Sequence, residues 1–494
     1  MTSDTSSTSV SRETVALLLL CVVSFLVRVT LGLAFPNIFW PDEIFQTLEQ
    51  GHRMVYGYGV TPWEFSQGIR SWFLPGVMGL VMGATSWLGE GSSGYLLGVL
   101  LFLSLLSLIP VVAVFSWTRR HLSLSAAVVA SVIVAGWFEA VFFASKALSE
   151  VVASHIMFLG LMLCWDDKQQ RPTWQLWLAG LALGLTFGLR VHFAPGLLLI
   201  LLWALWKQER QQWSRVLGGF ALAVVALGLL DWVTWGLPFQ SIWKNFWVNV
   251  VEGKSKNYGL GISPWYLYAV MLWRTWSWGL IPLLVLAALG AQRLPLAGLV
   301  TLAIFAAHSF IGHKEYRFIY PCLILVVMLA SVGLVDSLRS VLEKQAPRSR
   351  ALANTLVALL VLSGSLGLGY RFNTHHTMNT FGGPVVSHWT HFQGSLEAFS
   401  QLSTETDVCG VAVWGMNKAF SGGYTYLHRR IPIRDMEKAS FASLKKQFPY
   451  FNAMVTRLAK SPRNIGSYAK ESCWGEICLY RRFGGCRPTR RGVR

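Results

Sequence analysis

The chain has 494 residues, of which 53% are hydrophobic and only 13% charged, about half the charged share of a soluble domain. Its apolar residues come as repeated runs near the roughly 20 residues that a spanning helix needs, which excludes one soluble core and defines a polytopic helical membrane protein. A formal net charge of +18 would suit a nucleic-acid partner, but its placement argues against one. Residues 372–494 hold 17 Lys/Arg against 7 Asp/Glu, and much of the remainder sits in short loops, where it sets topology or meets anionic headgroups.

Residues 1–14 are polar and Ser/Thr-rich, and no small-x-small cleavage pattern follows, so the first apolar run reads as a retained span. Spans are expected at about 15–35, 95–117, 122–142, 151–165, 174–189, 196–206, 216–236, 265–288, 294–311, 319–338 and 351–370. The stretch "SWFLPGVMGLVMGATSWLG" (71–89) is apolar, yet Pro75 and four Gly weaken it. It reads as a re-entrant or surface-lying helix inside a long first loop, 36–94. One set of connections, Arg119 to His121, Asp166 to Arg171, Lys207 to Arg215, Arg293 and Arg339 to Arg350, is short and basic, as cytoplasmic loops are. The other set holds the unusual residues: the 36–94 loop, Lys146 to Glu150, Arg190 to His192, 237–264 and 313–317. A cytoplasmic N-terminus and eleven spans put that set, with the tail, on the far side; an even count would return the tail to the cytoplasm.

The tail, residues 372–494, changes period. "VCGVAVWG" (408–415) and "EICLYRR" (476–482) are β-rich, 436–447 is helical in pattern, and Gly/Pro breaks separate them. This defines a small soluble α/β domain behind a transmembrane domain of residues 1–371. Cys21, Cys164 and Cys322 lie in apolar runs, whereas Cys409, Cys473, Cys478 and Cys486 lie in the tail. An even set without CxxC spacing points to two disulfides in an oxidising compartment and away from zinc.

Chemistry concentrates in two places. "FWPDEIFQTLEQGHRMVYGYGVTPWEF" (39–65) sets Asp42 and Glu43 just beyond the first span. Two readings stand: acids opening a helix, or a carboxylate at the membrane boundary serving as general base. Glu49 and His52 follow on as a polar face. The second place is "FIGHKEYRFIYP" (310–321), where His313, Lys314, Glu315 and Arg317 crowd together between apolar runs. Ionisable groups cost several kcal/mol at membrane depth, so the cluster must face water, protein or an anionic ligand. In a helical register His313 and Arg317 share a face. Arg and Lys suit phosphate, and Glu315 is placed to orient one of them. Arg190 and His192 fit either headgroup anchoring or an anionic ligand.

"HKEYRFIYP" resembles the His-Lys-Glu-x-Arg-Phe-x-x-Pro signature of the dolichyl-phosphate-mannose-dependent α-mannosyltransferases. The first loop resembles that family's first luminal loop, with Pro62 inserted in the usual Thr-Trp-Glu. The likeness covers about residues 15–370, and its nearest branch is the one that adds the third mannose of the glycosylphosphatidylinositol (GPI) anchor. "SGGYTYLHRRIPI" (421–433) is similar to tails of bacterial members. The resemblance implies a type C glycosyltransferase fold and inverting transfer of a mannose-type sugar. The donor would be a polyprenyl or dolichyl phosphate, the acceptor a glycolipid or lipid-linked glycan hydroxyl, and the site the non-cytoplasmic face. It implies Asp42 as base with Glu43 beside it, and His313, Lys314, Glu315, Arg317, Arg190, His192, Arg70 and Tyr258 around the donor. No metal or cofactor is called for, since the cations can neutralise the phosphate.

A lipid-linked-sugar flippase is the rival from another class. It should show internal repeats or broken helices with polar residues at mid-membrane, whereas here the unusual charges gather on one side. A silent scaffold subunit is disfavoured by the intact Asp42 and 313–321 cluster. No Asn-x-Ser/Thr sequon occurs, which with the tail favours a bacterial inner membrane over the endoplasmic reticulum.

Overall fold

The computed structural model describes residues 11–164, 171–207, 209–254, 262–342, 345–374, 387–457 and 463–487. Up to residue 374 it is helical. Among the described residues, six helices are long and apolar enough to cross a membrane: 12–34, 93–121, 210–235, 267–293, 316–342 and 348–372. The pair 124–136 and 138–145 makes a seventh if taken as one span bent by 59°. Its break falls within the expected span 122–142, and the freed backbone is satisfied: Phe138 N donates to Ser365 Oγ at 2.9 Å. Shorter apolar helices cover 149–164, 173–189, 191–207 and 295–310. At 1.5 Å per residue they are about 24–26 Å long, somewhat under a hydrocarbon core. The large buried core runs through these helices, from Val111 and Ile133 to Tyr320 and Met328.

The first loop is itself built. After Pro41, whose carbonyl accepts from Ile44 N and Phe45 N, a π-helical stretch Glu43–Leu48 runs into an α-helix Glu49–Tyr56. Gly57 ends it at φ 79°, a left-handed cap that glycine adopts without strain. The helix Phe73–Thr85 packs across this segment. A Cβ on Gly51 would lie 2.8 Å from the Pro75 carbonyl, so the two helices approach closely because that side chain is absent. With 13 residues, this helix is about 20 Å long.

Residues 387–487 carry a six-stranded sheet: β1 Val411–Trp414, β2 Ile433–Met436, β3 Ala453–Arg457, β4 Asn464–Ile465, β5 Tyr468–Trp474 and β6 Ile477–Arg481, in the order β2-β1-β3-β6-β5-β4. β1 runs parallel to β2 and β3, and the remaining pairs are antiparallel. Disulfides join Cys409 to Cys486 and Cys473 to Cys478. The expected helix 436–447 is corrected: Met436 ends β2, and helix begins only at Phe441, after Ser440 caps it by accepting from Ser443 N. A Ser side chain there competes with helix upstream of it.

This sheet domain docks on the first loop. Ile38 N donates to the His391 carbonyl at 2.9 Å, Ser92 N donates to Ser403 Oγ, and Tyr95 Oη donates to the Thr425 carbonyl. Leu396 of the tail is buried in one apolar cluster with Ile38, Phe45 and Tyr95.

Candidate active site

Asp42 stands one residue before the π-helical stretch, with its side chain 31% exposed. Across 275 residues of chain it meets Arg317, whose Nη2 donates to Asp42 Oδ2. Arg317 is nearly buried and packs on the rings of Trp40 and Phe318. Its Nε also donates to Glu315 Oε2 at 2.8 Å and lies 3.5 Å from Glu150 Oε1. Arg190 pairs with that same Glu150 oxygen, and the two guanidinium carbons lie 5.3 and 5.2 Å from the Phe318 ring centre. One buried carboxylate thus lets two like charges sit side by side, which unpaired they would do only at high cost.

The 313–317 segment does not take the helical register expected of it. Residues 311–315 are non-helical, with Glu315 at φ −134°, ψ 146°, and a 3₁₀ turn Tyr316–Ile319 leads into the helix Tyr320–Leu342. Pro321 suits a first helical turn, where no intrahelical N–H is needed, so the chain before it is free to extend. His313 and Arg317 are brought together by a side chain instead: Glu315 Oε1 lies 2.9 Å from His313 Nε2 and accepts from Arg317 Nη2 at 3.2 Å. Burial works against the Glu315 carboxylate, yet the Arg317 charge and the bonds from His313 and Arg317 hold it below its ordinary value.

The other expected residues are distributed unevenly. Lys314 turns to backbone carbonyls, those of Ile311 and Ser263, and lies 6.0 Å from the Tyr268 ring centre. Glu43, adjacent to Asp42, is buried and paired with Lys146, which also donates to Asn37 O and Oδ1 at 2.8 and 2.7 Å. Burial pushes the Glu43 carboxyl up, opposed by Lys146. Arg70 is near enough for its charge to act on Arg190 and His192, and its carbonyl accepts from Trp235 Nε1. The His192 ring lies 6.2 Å from that of His308. Tyr258 lies outside the described residues, but the loop on either side reaches the site: Lys254 stacks over Trp63 at 3.7 Å, and Ser263 N donates to the Gly312 carbonyl.

Sequence reasoning noted Lys146 and Glu150 without giving either a role. The signal was there, since a Lys and a Glu flanking an apolar helix rarely sit unpartnered. Glu139 was missed altogether; it accepts from Trp137 Nε1, Trp276 Nε1 and Tyr316 Oη, and so buttresses the turn carrying Arg317. Among the described residues no group of three His, Cys, Asp or Glu converges to hold a metal. What the site offers is two guanidiniums and an imidazole beside a part-exposed carboxylate. Such a set can hold an anion beside a carboxylate that keeps some open hydrogen-bonding directions.

The fold is that of the type C glycosyltransferases. A crystal structure of ArnT from Cupriavidus metallidurans bound to undecaprenyl phosphate superposes with a TM-score of 0.57, covering 96% of this chain and 99% of that one at 14% identity. The Alg9-like mannosyltransferase family model matches residues 17–389, and the chain belongs to that family. Among its relatives, GPI mannosyltransferase 3 of Yarrowia lipolytica is 26% identical over 441 residues, 82% of this chain and 74% of the relative. GPI alpha-1,2-mannosyltransferase 3 of Danio rerio is 26% identical over 63% of this chain and 58% of its own length. The protein is a multi-pass membrane mannosyltransferase.

Proposed function

We propose that this mannosyltransferase takes mannose from a polyprenyl-phosphate donor and passes it, with inversion, to a hydroxyl of a glycolipid or lipid-linked glycan on the non-cytoplasmic face of its membrane. The observation that carries the reading is the meeting of Asp42 with Arg317. Asp42 accepts the proton of the acceptor hydroxyl, whose oxygen attacks the anomeric carbon. The bond from that carbon to the phosphate oxygen breaks, and polyprenyl phosphate leaves with the added charge. Arg317, Arg190 and His313 stabilise it where it develops. The donor phosphate takes the place that Asp42 holds on Arg317, which turns the carboxylate toward the acceptor. Glu43, tied to Lys146, shapes the segment rather than moving the proton.

Bacterial inner membrane and endoplasmic reticulum both fit this chemistry. The absence of sequons favours the first, and the named eukaryotic relatives favour the second. The test is transfer of labelled mannose from polyprenyl-phosphate-mannose to membrane glycolipids by wild type and Asp42→Asn. Equal rates sink the base; no transfer by wild type from any polyprenyl-phosphate sugar sinks the reaction.

A further inference from the structure

Glu49 has no part in the chemistry above, yet it is the most completely enclosed acid of the first loop, with 0% of its surface exposed. Its carboxylate accepts from Val60 N at 2.8 Å within the loop. From the tail it accepts from Tyr424 N at 3.2 Å, Thr425 N at 2.8 Å and Thr425 Oγ1 at 2.8 Å. Four donors saturate one carboxylate, three of them supplied from some 375 residues away. The approach depends on Gly423. It stands at φ +62°, and a Cβ there would lie 2.8 Å from Glu49 Oε2, so only glycine lets the tail backbone come this close. One turn on, His52 Nε2 lies 3.1 Å from His428 Nδ1.

Asp42 and Glu49 belong to one continuous helical segment, and the π-helical turns Glu43–Leu48 lie between them. A π-helical stretch is a departure from regular helix that needs outside support to persist. Upstream of Asp42 the chain is held to the same tail domain by Ile38 N on the His391 carbonyl. The tail therefore grips the base-bearing segment on both sides and leaves Asp42 itself part-open.

We infer that the C-terminal domain is a positioning element of the active site, and that Glu49, clamped by Gly423–Thr425, is the positioning residue that sets the register of Asp42. This rests on the reading of Asp42 as base. A misplacement of about 1 Å at a reacting group can cost about 100-fold in rate, so the clamp should show in turnover and not in donor capture.

The experiment uses full-length protein in lipid, with polyprenyl-phosphate-mannose as donor, and measures kcat and donor KM per folded molecule, together with amide exchange. Glu49→Gln, which turns an NH₂ group against backbone N–H donors, should lower kcat about 10–100-fold with donor KM within about threefold. Exchange should rise in 43–48 and stay unchanged in β1. Thr425→Val should fall between that variant and wild type, and Thr425→Ser should restore wild-type turnover; this pair decides the matter if Glu49→Gln does not fold. A loss confined to the amount of folded protein, a rise in donor KM alone, or unchanged exchange in 43–48 overturns the inference. Failure of the underlying reading looks different: wild type then transfers from no polyprenyl-phosphate sugar, or Asp42→Asn stays active, and the positioning role falls with it.

Discussion

Two acids seven residues apart on one segment live in opposite surroundings. Asp42, at its start, keeps a part-exposed carboxylate with one guanidinium partner; Glu49, two turns on, is sealed under the tail with every lone pair taken. An oxygen already accepting its full set of hydrogen bonds has nothing left for a substrate proton. One with open directions has room for it, as the proposed role of Asp42 requires. Residue type alone does not separate them; the number of protein donors around each does.

The sharpest way to break this contrast is at its open end. Asp42→Asn should lower transfer about 10²–10⁴-fold, the usual worth of a general base, with donor binding retained; a donor-binding assay beside the turnover assay separates the two. Arg317→Gln is next. Loss of one charge-stabilising donor costs about 10²–10³ in turnover, and here donor KM should rise as well. If Arg317→Gln lowers turnover while donor affinity is untouched, the guanidinium serves Asp42 and not the phosphate.

Glu43 tests the contrast from the side, because it adjoins Asp42 and yet is buried on Lys146. Removing one member of a buried pair strands the other, at a cost of about 3 kcal/mol or more. Glu43→Gln should therefore lower thermal stability, and Glu43→Gln with Lys146→Gln should recover part of the loss. A double variant no more stable than the single one would show that the pair contributes nothing beyond packing.

The membrane part of this architecture was open to a reader of the sequence, because lipid forces long apolar runs that are visible without contacts. The β runs at 411–414 and 477–481 showed through for a related reason, their β-rich composition between Gly breaks. What stayed hidden depends on tertiary partners. Adjacent residues of a helix differ by about 100° in direction, so whether Asp42 or Glu43 faces Arg317 hangs on where the segment starts. The 313–317 stretch looks helical by spacing, but its ends are brought together by the Glu315 side chain across extended backbone. Glu150 bridges two arginines 40 and 167 positions away, a role that no local pattern encodes.

The smallest expected effect lies at the sealed end. Burial, and then the neighbouring His428, push His52 from 6.5 down to about 4, so the docked protein favours the neutral ring. A depressed pKa gives stability that is fully present above the unfolded value of 6.5 and is lost as pH falls toward 4. Two imidazoles whose nitrogens lie 3.1 Å apart share at most one bridging proton, so a second proton opposes this contact between loop and tail. Thermal unfolding of wild type and His52→Gln across pH 4–8 isolates this contribution, since every other titrating group is common to both. Wild type should be the more stable above about pH 6.5, with the difference shrinking steadily below it. A difference that holds constant with pH would mean that the ring packs against the tail without its protonation mattering, and the polar closure of the sealed end would then rest on Glu49 and on the Tyr95–Thr425 bond.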